Sequence, residues 1–280
     1  MPLSLNQRKS LRDYDQNLKD ALESIKNTTG QEYQVEIDFE GIIAKTAESK
    51  YVSEDPGNFF YKQCLANFAY CLEQQLAKEE VTKEAFVEAT TARKIIFRIN
   101  EDKKNTDYWK VAFEADSVIL LFRIQPSNVG DISYLPLAKS IPVPGTYSLV
   151  SRLSLKEHKE KFDEALETLK SATGETWTYD EASLESVYKL VDENSKTNYG
   201  RVFSTVLENV AYNVKEKCKD DMIKEAFVEA TPNHTIVFVQ NAKQYDYWEF
   251  KFENGNLLVS FKNSITNLSD ISYWDFTKLL

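Results

Sequence analysis

The residues best suited to chemistry fall in two short clusters, and each cluster occurs twice. Asp107-Tyr108-Trp109 returns as Asp246-Tyr247-Trp248, and Asn128-x-x-Asp131-Ile132-Ser133-Tyr134 returns as Asn267-x-x-Asp270-Ile271-Ser272-Tyr273. Aromatic rings beside carboxylate and amide groups are the ingredients of a recognition surface, because the ring gives flat apolar contact while Asp and Asn fix direction by hydrogen bonding. The candidate binding residues are therefore Asp107, Tyr108, Asn128, Asp131 and Tyr134, with Asp246, Tyr247, Asn267, Asp270 and Tyr273 as their counterparts. A structural role competes with this one. Asp before a strand and Asn-x-x-Asp in a loop are turn chemistry, and Trp109 alternates in phase with Val111 and Phe113, on the side expected to face a core. Tyr108 and Tyr247 point the other way and are the better surface candidates.

Other chemistries find little support. His158 and His234 align with Tyr14 and Arg93, so no histidine is repeated and a triad or a multi-histidine zinc site shared by both halves cannot be built. Glycine never forms a phosphate-binding loop or a nucleophile elbow. Glu84 and Glu88, repeated as Glu225 and Glu229, would share a helix face and could hold a hard cation or serve as an acid and base pair, but a solvated helix surface is the preferred reading, since charge runs are usually solvated faces. Cys64 matches Val206 and reads as a small hydrophobe. No residue is assigned as catalytic or metal-ligating, and no cofactor is implied.

The elements that must position these clusters also come twice. Lys83-Glu84-Ala85-Phe86-Val87-Glu88-Ala89-Thr90 recurs letter for letter as Lys224 to Thr231, and the similarity extends over nearly the whole chain at a spacing fit for a domain rather than a solenoid repeat. An apolar stripe at Leu11, Tyr14, Leu18, Leu22 and Ile25 matches Leu155, His158, Phe162, Leu166 and Leu169, predicting one opening helix that ends near Gly30 or Gly174. A short strand follows at Tyr33 to Ile37 or Trp177 to Tyr179, then a second helix capped by Asp38 or Asp180. Residues 44–58 and 191–200 diverge and are expected to be loops. A third helix carries Phe60, Cys64, Leu65, Phe68 and Leu72, or Phe203, Val206, Leu207, Val210 and Val214. Beyond a short fourth helix the period changes to two, with Asn254-Gly255 signalling a hairpin.

The expected fold class is α+β: two tandem homologous domains over residues 1–140 and 153–280, with a Pro-containing connector over 141–152. Each domain should pack several helices on one face of a small antiparallel sheet, a three-stranded meander plus one additional strand. At 42% hydrophobic and 28% charged, the chain has enough apolar material for such cores and lacks the bias of disorder. A net charge of −10 without a basic cluster beyond Lys103-Lys104 argues against nucleic acid. The absence of a bilayer-length apolar run argues against a membrane, and three unmatched cysteines point to a reducing compartment and a cytoplasmic location. The function expected is a non-enzymatic binding or assembly protein with two homologous protein-interaction modules. The alternatives are a carbohydrate-binding protein using the Asp-Tyr-Trp segments, or a hydrolase with a carboxylate and tyrosine site between the domains. The sequence assigns no oligomeric state.

Overall fold

A computed structural model describes residues 2–102, 104 and 106–280, so Lys103 of the basic pair lies outside the described residues. The chain divides into two compact units, Met1–Val143 and Pro144–Leu280. The first contains α1 (Leu5–Asp13), α2 (Asp15–Thr29), β1 (Gln34–Ile37), α3 (Phe39–Lys45), α4 (Lys50–Ser53), a π-helix over Gly57–Leu65 that runs into α5 (Ala66–Leu76), α6 (Glu80–Ala89), β2 (Lys94–Ile99), β3 (Trp109–Glu114), β4 (Ser117–Phe122), a 3-10 turn over Val129–Tyr134, and α7 (Leu137–Ser140). The second contains α8 (Leu149–Glu157), α9 (Lys159–Thr173), β5 (Thr178–Tyr179), α10 (Glu181–Tyr188), α11 (Glu193–Thr197), α12 (Tyr199–Lys217), α13 (Asp221–Ala230), β6 (Thr235–Gln240), β7 (Trp248–Glu253), β8 (Asn256–Phe261), and 3-10 turns over Leu268–Tyr273 and Phe276–Leu279.

The expected antiparallel meander is not what forms. The strand orders are β1-β2-β4-β3 and β5-β6-β8-β7, with the first three strands of each sheet parallel and only the hairpin pair antiparallel. Burial gives the reason. Val118-Ile119-Leu120-Leu121-Phe122 is apolar without a break, and β4 is buried on both of its sides, which suits a central strand. Trp109-Lys110-Val111-Ala112-Phe113-Glu114 alternates and takes the edge, where one side meets water. The chain therefore skips a position after β2 and the hairpin folds back between β2 and the edge.

Each sheet has one apolar face against its helices. In the first unit Phe60 meets Phe97 and Phe122 edge to face at 5.3 and 6.0 Å, and Phe86 meets Phe113 at 5.9 Å. The opposite face carries the ion pairs Lys94–Glu36 and Arg98–Glu114. In the second unit Phe203 meets Phe238 at 5.1 Å, while Phe227 packs on Trp177 at 5.4 Å and on Phe276 at 5.1 Å.

Two further expectations change. The opening helix is two helices in each unit, broken at Tyr14 and at His158, whose backbone leaves helical geometry there. Ser4 and Ser148 cap the first of each pair through backbone N–H groups, so the helix begins earlier than the stripe alone suggested. The segments expected to be loops contain α4 and α11, the latter capped by Asp192, together with the start of the third helix. Asp38 and Asp180 do cap α3 and α10, and Gly30 and Gly174 end α2 and α9 in the left-handed conformation that glycine tolerates best.

Candidate functional site

In each unit the two clusters read from the sequence meet. Trp109 is buried at the start of β3 and its indole N–H donates to the Ser127 carbonyl at 2.8 Å; Trp248 donates to Thr266 at 2.7 Å. That bond holds the chain one residue before Asn128 or Asn267, each of which takes a left-handed backbone with φ of 49°. Asn reaches this region at less cost than most side chains. The turn is next pinned from below. Ile132 and Ile271 are fully buried, and Ser133 and Ser272 donate to the side-chain oxygens of Asn67 and Asn209, at 3.1 and 2.6 Å.

What remains outside is aromatic and acidic. Tyr134 and Tyr273 are each 81% exposed, at the end of the pinned turn, and Asp131 and Asp270 are exposed within it. Tyr108 and Tyr247 are also exposed, as their strand parity required, with Asp107 and Asp246 exposed beside them. Their surroundings differ. The Arg123 guanidinium lies over the Tyr108 ring at 5.2 Å, whereas the backbone at Asp246 and Tyr247 is tied down by the buried side chain of Gln244, which donates to both of their carbonyls at 3.1 Å. The Asn of the motif is thus a backbone fixture, the Trp is core, and the tyrosines and aspartates form the outer surface.

Sequence reasoning missed the residues that hold this arrangement. Asn67 and Asn209 open a repeated Asn-x-Ala-Tyr, and the tyrosine of that pattern, Tyr70 or Tyr212, is about half exposed on the same helix. The repetition of Asn-x-Ala-Tyr was the available signal, hidden because a polar residue on an apolar helix resembles ordinary surface.

The remaining candidates lie apart from these turns or carry no partner group for chemistry among the described residues. Phe86 and Phe227 of the identical octapeptide are fully buried, and Thr90 and Thr231 donate back to their carbonyls at 2.7 and 2.6 Å. Glu84, Glu88, Glu225 and Glu229 are exposed. Cys64, Cys71 and Cys218 are free and buried; burial raises the Cys71 and Cys218 thiols to about 11 and Cys64 well above its usual range, which suppresses the thiolate. Among the described residues no group of three or more His, Cys, Asp and Glu side chains could hold a metal ion, and no helix is long and apolar enough to cross a membrane. Compared with protein-family models, curated proteins and solved structures, the chain matches none.

Proposed function

We propose that the chain is a non-enzymatic binding or assembly protein whose two units arose by duplication and act as two protein-interaction modules. The observation that carries this reading is the pair of tyrosines, Tyr134 and Tyr273, presented at equal exposure on turns that share a Trp-to-carbonyl and a Ser-to-Asn hydrogen bond in both units. A tyrosine carried on a pinned turn offers a large contact from a backbone that needs little further ordering on binding, which suits a protein interface. The burial of Trp109 and Trp248 removes the larger ring from any sugar platform and favours a protein partner over a carbohydrate. Three free, buried cysteines accord with a reducing, cytoplasmic setting.

Two modules on one chain raise avidity without new contacts, by about 10² to 10⁴-fold when both engage one target. Affinity capture with the tagged chain and with Tyr134→Ala, Tyr273→Ala and the double variant checks this. The same protein should be retained by the unaltered chain, weakly by each single variant and not by the double variant. Unchanged capture by the double variant, or retention on a carbohydrate array in place of a protein, would reject the reading.

A further inference from the structure

The second unit contains a cleft of about 560 Å³ that the repeated clusters do not touch. Tyr147, immediately before the Ser148 cap of α8, and Tyr179 of β5 line it, and both rings are half-buried. Each ring is backed by another: Tyr147 packs edge to face on Tyr188 at 5.0 Å, and Tyr179 packs on Phe162 at 5.3 Å. Glu181 and Glu185, one turn apart on α10, are exposed at the same cleft and make no ion pair among the described residues. Among the described residues the basic group lining the cleft is Lys159, already paired with Asp163 at 2.6 Å.

Aromatic faces attract cations through their quadrupole, carboxylates add charge, and the volume lies within the range of small-molecule sites. We propose that this cleft is a binding site for an organic cation, an alkylated or quaternary ammonium group seated against Tyr147 and Tyr179 and drawn in by Glu181 and Glu185. Burial, reinforced by Glu185, keeps the Tyr147 phenol protonated far above its ordinary range, so the ring stays neutral. The matching positions of the first unit show that the arrangement is not a by-product of the shared fold. Leu3, Leu18, Val35 and Phe39 stand where the second unit has Tyr147, Phe162, Tyr179 and Glu181, and Phe39 turns onto Phe60 at 5.7 Å. The site belongs to the second unit alone and does not depend on the bivalent reading.

Calorimetric titration of the full chain in amine-free buffer, with choline and with its uncharged isostere 3,3-dimethylbutan-1-ol, tests the proposal. Choline should bind saturably and at least about tenfold more tightly than the isostere, the factor expected of a partly desolvated cation beside aromatic rings. Tyr147→Phe, which keeps the ring, should retain binding. Tyr147→Ala should lose it, and because that change also disturbs packing on Tyr188, the exposed pair Glu181→Gln with Glu185→Gln provides the second arm, with a loss of roughly tenfold. Equal affinity for choline and the isostere, no binding of choline by about 50 mM, or full binding by the Glu181→Gln/Glu185→Gln variant would each overturn it.

Discussion

At the residue scale, the octapeptide shared by the two units is explained by packing. Its phenylalanine and threonine are buried and bonded, while its glutamates face water. Phe227→Ala should cost about 3–5 kcal/mol, because a fully buried ring leaves a cavity lined by Trp177, Phe252 and Phe276. Glu225→Ala and Glu229→Ala should stay within about 0.5 kcal/mol. Urea unfolding of the three variants checks this, and a large loss at either glutamate would make those carboxylates functional candidates again. The same division runs through the Asn-x-x-Asp-Ile-Ser-Tyr motif. Its turn character was readable from residue type, and so was the parity of Trp109 and Tyr108. The partnership of Ser133 with Asn67 was not, because the two residues are remote in sequence and meet only after the third helix packs beside the turn.

At the element scale, the third helix differs between the units by one residue. Asn67 lies ten positions after Gly57, but Asn209 lies nine after Gly200. Both ends are anchored alike: the N–H groups of Gly57 and Gly200 donate to Ser10 and Ser154 at 2.8 and 3.0 Å, and the two asparagines accept from Ser133 and Ser272. The extra residue between fixed ends is absorbed by widening the helix, which is why Gly57–Leu65 is π-helical where α12 is a regular α-helix. Glycine is needed at both anchors, since a Cβ at Gly200 would lie 1.9 Å from the Ser154 carbonyl oxygen and one at Gly57 2.3 Å from that of Ser10. Deleting the exposed Lys62 should let this segment close into an α-helix and be tolerated. Deleting Arg201 from α12 should turn the residues before it by about 100° relative to the rest of the helix and break one anchor. Thermal unfolding of the two deletions should show the second far less stable; equal losses would refute the insertion account.

At the scale of the whole molecule, each unit has its own sheet, its own helical layer and its own aromatic core. Fragments covering 1–143 and 144–280 should therefore each unfold cooperatively, with circular dichroism spectra that sum to that of the full chain. A fragment lacking a transition would show that its core depends on the other unit. The sequence by itself determined the strands, the long helical stretches, which side of each is apolar, and that the pattern comes twice, because these properties follow from local periodicity and capping. Tertiary structure alone decided the strand order, the helix breaks at Tyr14 and His158, and the partnerships of Ser133 with Asn67 and Ser272 with Asn209. A strand's place depends on whether one or both of its faces lose water, and that is settled only when every element competes for the same core.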